Sequence, residues 1–134
     1  MDDRDKLIRE IRGESFGDIN IQSLSEELFQ NEVIRPIIKL QNDLFIASFL
    51  NFISKYKRDF YTKSIENKLL IIENAIQKDI KFRNSLKGMI IALFTTEEYG
   101  LYIKNSSSLN KRMMNLVIES LKNQVQLFDN QQLA

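Results

Sequence analysis

A chain of 134 residues and 15.8 kDa has room for one domain, and 43% hydrophobic residues supply a core, which excludes wholesale disorder. Four glycines and one proline exclude an all-β sandwich with frequent tight turns, and the lack of cysteine excludes a disulfide scaffold, a zinc ribbon and thiol catalysis. The lack of histidine removes the imidazole of a catalytic triad, of a facial metal site and of a pH switch, and a formal net charge of +1 gives the whole molecule no field towards nucleic acid or anionic lipid.

The charge is unevenly spread. Residues 1–32 hold nine acids against four bases, a net of −5, while residues 33–134 hold fifteen bases against nine acids, a net of +6. This reads as an acidic N-terminal segment lying on a more basic body, or more sharply as a mask that a partner displaces. The start MDDRDK is acidic and no adequate apolar run follows it, so a secretory signal is not expected. The longest nearly apolar stretch, LFIASFLNFI from Leu44 to Ile53, is far short of the ~20 residues that a bilayer span needs. The expected location is the cytoplasm, away from any membrane.

In chain order, helical periodicity dominates. A first helix is expected from about Asp3 to Arg12, stopping at Gly13, and GESFGDINIQSLS after it reads as a loop. Ser23 or Ser25 can cap the next helix, since Ser23 and Glu26 fit a capping box. Pro36 then forces a kink, or a restart with proline in the first turn. From Pro36 to about Lys57, Phe45, Phe49, Phe52 and Tyr56 form one aromatic stripe, while Leu44, Ile46, Leu50 and Ile53 cover most of the remaining circumference. An all-round apolar helix is a buried one, and this is expected to be the centre of the fold.

KYKRDFYTKS is read as a connector. Thr62 or Ser64 caps a helix with the stripe Ile65, Leu69, Ile72, Ile76 and Ile80, continuing towards Phe94 with a break near Asp79. Thr95-Thr-Glu-Glu98 is a second capping box, opening a short helix that ends near Asn105. The serines 106–108 are expected to cap the last helix, about Leu109 to Phe128. In it Met114, Ile118, Leu121, Val125 and Phe128 make a short heptad-like seam suited to antiparallel packing within a bundle or across a dimer. The expected fold is therefore an all-α, single-domain bundle of five or six helices around a buried central helix. Residues 1–24 form its N-terminal helix and loop, 25–128 the bundle, and 129–134 a frayed tail.

The chemistry available at neutral pH is limited to carboxylates, lysine and tyrosine. Glu26-Glu27 and Glu97-Glu98 are adjacent, so on a helix they diverge by about 100° and cannot share a proton or a metal. Their place in first turns suits the helix dipole instead. No P-loop or EF-hand spacing occurs, and no catalytic residue, metal or cofactor is expected. Two segments read as binding elements. In Lys55–Lys63, cations alternate with Tyr56, Phe60 and Tyr61, the combination that stacks bases and pairs phosphates in single strands, or else an ordinary solvated helix end. The second is the short helix after Thr95, a serine turn, and a helix starting with Ser107, Asn110, Lys111 and Arg112, which resembles a helix-turn-helix. Asp79 and Arg83, four apart, can pair.

The stretches IRPIIKLQNDLFIASF (34–49), IENAIQKDIKFRNSLKGMIIALF (within 65–94) and NSSSLNKRMMNLVIESLKNQVQLF (105–128) resemble a group of short, all-helical bacterial proteins that often carry the label glyoxalase. The resemblance implies an all-helical domain. It brings no site residues, because glyoxalases of either metal-dependent type use histidine ligands and this chain has none. The expected function is that of a non-enzymatic helical interaction or regulatory protein. Its partner is another protein or a second copy, met through Met114, Ile118, Leu121, Val125 and Phe128. The alternatives are a helix-turn-helix-like nucleic-acid binder using Ser107, Asn110, Lys111 and Arg112, or a bundle with an apolar ligand pocket or an enzyme site.

Overall fold

The computed structural model describes residues 3–13, 25–126 and 128. Among these the chain is all helix: α1 (Asp3–Arg12), α2 (Glu26–Phe29), a π-helical stretch (Gln30–Ile34), α3 (Arg35–Leu40), α4 (Asn42–Tyr56), a 3-10 turn (Phe60–Thr62), α5 (Ile65–Lys78), α6 (Ile80–Ile91), α7 (Thr96–Tyr102) and α8 (Ser106–Asn123). Most of the expected loop after Gly13, with Ser23, and all of the expected tail 129–134 lie outside the described residues.

Pro36 does not interrupt the helical run, although it falls in the first turn of α3. Proline has no N–H to give to the carbonyl four residues back, and its ring crowds that carbonyl. The backbone widens just before it: the N–H of Arg35 reaches back five residues to the carbonyl of Gln30, and helix runs on from Glu26 to Leu40. A single π-turn of this kind absorbs the misfit without ending the helix.

The helix expected from Pro36 to Lys57 divides at Gln41, whose ψ of 5° leaves the helical range while its amide stays bonded to the carbonyl of Ile37. Its side-chain amide crosses to the carbonyl of Met89 at 2.9 Å, which ties the corner to α6. The long pattern from Ile65 to Phe94 also divides. Asp79 adopts an extended conformation and its carboxylate accepts the N–H of Phe82 at 2.9 Å, starting α6. That carboxylate thus serves as a cap, not as the expected partner of Arg83. At α7 the capping box is present, with Thr95 accepting from Glu98 N and Glu98 accepting from Thr95 N. The serines 106–108 fall inside the first turn of α8, and the residue before the helix is Asn105, whose side chain makes no cap bond.

One contiguous core joins these helices, with Phe49 at its aromatic centre: Phe52, Phe60, Phe82 and Phe128 all lie within 6.5 Å of it, ring to ring. α4 is not apolar all round. It buries Phe45, Ile46, Phe49, Phe52 and Ile53, but leaves Leu44 and Tyr56 exposed. The helix that meets most of the others is α8, which packs against the π-stretch, α3, α4, α5 and α6. It buries Leu109, Met113, Met114, Leu116, Val117, Ile118 and Leu121. The bulky stripe of α8 is used there by the chain's own core.

Candidate interaction surface

The five side chains expected to form a dimer seam are all in the core. Leu121 and Phe128 are fully buried, and Met114, Ile118 and Val125 are at most 7% exposed. Their heptad spacing answers α4, α5 and α6 within one chain, so the folded surface does not offer them to a second copy.

The helix-turn-helix reading finds α7 and α8 joined by a short turn, as expected, but its contact residues do not share one free face. Asn110 accepts the hydroxyl of Tyr102 at 2.6 Å, and Arg112 donates to Gln30 Oε1 at 2.8 Å, which anchors α8 to the π-stretch. Burial pushes the Tyr102 phenol above its ordinary range, against the pull of the Asn110 bond. Ser107 and Lys111 are exposed. Two of the four expected contacts are thus structural hydrogen bonds.

The Lys55–Lys63 segment splits. Phe60 is fully buried beneath Lys68, whose ammonium lies 5.8 Å from the ring centroid, and Tyr61 is half-buried against the core. Tyr56 stays out, 66% exposed.

No sequence pattern marks the site that organises the N-terminal helix. The last-turn carbonyls of α6 are met by the amides of residues 92–94 and by Gln41, but the carbonyls of residues 92–94 in the connection to α7 still need partners. α1 supplies them. Arg4 donates to the carbonyls of Ala92 and Phe94, both at 2.9 Å, and Arg12 donates to that of Leu93 at 3.0 Å. Asp5 serves the opposite pole of the same corner. Its carboxylate accepts the N–H of Thr96 at 3.0 Å and the Thr96 hydroxyl at 2.6 Å, at the amino end of α7. The cations therefore sit on the carbonyl end of one helix and the anion on the amide end of the next, as both dipoles favour.

Arg12 also reaches Glu98 through both guanidinium Nη groups, at 2.5 and 2.8 Å, with the two side chains 0% and 4% exposed. A desolvated charge pair is tolerable only when its remaining polar atoms are bonded. Here Glu98 also accepts the Thr95 N–H and Arg12 also donates to the Leu93 carbonyl, so each partner has a further hydrogen bond. For Asp5, burial raises the carboxyl pKa, but the Thr96 hydroxyl and amide and the Arg4 charge outweigh it and hold the group below its ordinary value of 3.8.

This clasp turns Asp5, Ile8 and Arg12 inward and leaves Leu7 and Ile11 outside with the charged Asp3, Lys6 and Glu10. Asp5, Ile8 and Arg12 are buried, whereas Leu7 and Ile11 are each 56% exposed. Neither lies on a sequence pattern that distinguishes it from Ile8, because the charged partners that choose the inner face come from 80 to 90 residues away. α1 packs against α3, at whose end Leu40 is 44% exposed, with Leu44 at 46% one turn further on.

No helix among the described residues is long and apolar enough to cross a membrane, and no three histidine, cysteine, aspartate or glutamate side chains among them gather as a metal site. Comparison of the chain with protein-family models, with curated proteins and with solved structures finds no match.

Proposed function

We propose that the chain is a non-enzymatic interaction protein whose contact surface is the outer face of α1, with a second copy of the chain as partner. One observation carries this reading: α1 buries an aspartate and an arginine and leaves outside two of its three aliphatic side chains. A helix docked for stability alone turns its aliphatic stripe to the core and its charges to water. Here a polar clasp fixes the orientation and holds Leu7 and Ile11 to solvent, four residues apart on one face. That spacing is the one helices use to anchor in an apolar groove or against a copy of themselves. α3, against which α1 packs, ends at Leu40, itself 44% exposed.

Full burial of an aliphatic side chain contributes roughly 1.5–3 kcal/mol, and about half of that remains to be gained at each of these sites. The dimer is accordingly weak and concentration-dependent. Sedimentation velocity across a dilution series tests it, with wild type beside Leu7→Glu/Ile11→Glu. The wild type is expected to shift from monomer to dimer with concentration and the variant to stay monomeric with an unchanged melting curve. A wild type that is monomeric throughout, or a variant that dimerises equally well, refutes the reading.

A further inference from the structure

We propose a second site, at the corner where α4 ends and α5 meets α6, which binds single-stranded nucleic acid by stacking a base on Tyr56. Tyr56 is the last residue of α4 and its ring is two-thirds exposed. It is not a loose side chain. Its ring lies 5.2 Å from Phe52, which stacks at 4.5 Å and 23° on Phe82, so a ladder of aromatics runs from the core to the surface and ends on Tyr56. A ring held from behind loses little rotamer freedom when a base covers its outer face.

A cleft opens on each side of that ring. One, of about 470 Å³, runs between Tyr56 and α5 and carries Lys57 and Lys78. The other, of about 310 Å³, runs between Tyr56 and α6 and carries Lys55 and Lys81. Both volumes suit a small planar ligand. All four lysines are exposed, and none takes part in an ion pair among the described residues. The one acid lining the corner, Asp79, lines both clefts, and its carboxylate is turned to the Phe82 amide as the cap of α6. The corner therefore presents four cations, and one carboxylate engaged as a helix cap, around one aromatic platform.

Lysines at the ends of α4 and α5 also answer the helix dipoles. That role explains Lys55, Lys57 and Lys78 but leaves unexplained an exposed, braced ring between them, and Lys81 at the opposite pole of α6. Phosphates for the lysines and a planar base for the ring together describe one ligand, a strand whose bases are unpaired. A duplex keeps its bases from such a ring, and an acidic peptide has no need of it. The site is independent of α1, so its failure leaves the proposed dimer standing.

The test is fluorescence anisotropy of a labelled twelve-nucleotide oligo(dT) with the full chain, titrated at several salt concentrations. Four phosphate contacts predict a slope of log K against log salt near −3 for a single strand. Tyr56→Ala is expected to weaken binding about tenfold or more, and Tyr56→Phe to retain it, because stacking needs the ring and not the hydroxyl. Lys78→Gln/Lys81→Gln is expected to weaken binding and to reduce the slope by about 1.4. All these side chains are exposed, and matched melting curves confirm that the variants fold. The proposal is overturned by absence of saturable binding at low salt, or by Tyr56→Ala binding as tightly as wild type, which would mean a plain anion patch. Equal affinity for the duplex overturns it too, as does binding to phosphatidylserine vesicles that the oligonucleotide does not displace.

Discussion

Replacing Arg12 by leucine tests whether the clasp holds α1. The guanidinium is fully buried and donates to Glu98 and to the Leu93 carbonyl. Without it, the Glu98 carboxylate keeps the Thr95 amide as partner but loses its countercharge in a site 3% exposed. Removing one partner of a buried pair costs about 3–5 kcal/mol when the structure around it stays closed. That cost has a ceiling here, because the protein can avoid it by letting α1 go. The helix buries a single aliphatic side chain, Ile8, which contributes roughly 1.5–3 kcal/mol, so the polar bonds carry most of its attachment. The expected result is local release: loss of amide protection across residues 3–12, with α4, α5, α6 and α8 still protected and a melting temperature lower by several degrees. Double replacement with Glu98→Gln is expected to cost less than the sum of the two single changes, since it removes the orphaned charge. Undiminished protection of α1 in Arg12→Leu, with less than about 1 kcal/mol lost, would refute the argument that these bonds hold the helix.

Other outcomes follow from the same contacts. Leu121→Asp, which would break a dimer if the C-terminal seam were a surface, places a carboxylate at a fully buried site and is expected to abolish folding, read by the loss of the helical circular dichroism signal. Phe49→Ala removes the ring shared by Phe52, Phe60, Phe82 and Phe128 and is expected to lower stability by about 3–5 kcal/mol in urea titration. Thr95→Ala deletes the hydroxyl that caps α7 and should cost about 1 kcal/mol by the same titration. Acid acts on the clasp through Asp5. Its carboxyl is depressed below 3.8 in the folded chain, so its contribution is present above the unfolded value and is lost as pH falls through the folded one. Protection of α1 should therefore decline below about pH 4, and Asp5→Asn should remove that part of the acid sensitivity.

Much of the fold is written in local signals. Gly13, with φ of +75°, ends α1 where the sequence places the stop, because a residue without Cβ takes that conformation freely. Ser25, Ser64 and Thr95 cap the helices they precede, each with a side-chain oxygen accepting an amide in the first turn. Boundaries that depend on distant partners were not legible. The division at Gln41 is held by the Met89 carbonyl, 48 residues away.

The periodicity of α8 correctly marks an apolar stripe, but a stripe does not say whether its partner is the same chain or another. For Met114 to Phe128 the partner is the same chain. In α1 the stripe does not even choose the inner face: Leu7, Ile8 and Ile11 look alike in sequence, and the arginines that set it act through carbonyls of the α6–α7 connection. Asp79, expected to pair with Arg83, and Asn110, expected as a nucleic-acid contact, both serve instead as internal hydrogen-bond acceptors.

The proposed interface is most directly located by amide exchange measured on the wild type at rising protein concentration. Contact through the outer face of α1 predicts that protection of residues 3–12 increases with concentration while that of α8 stays constant. Exchange in α1 that is independent of concentration, or a rise confined to another helix, would contradict the account.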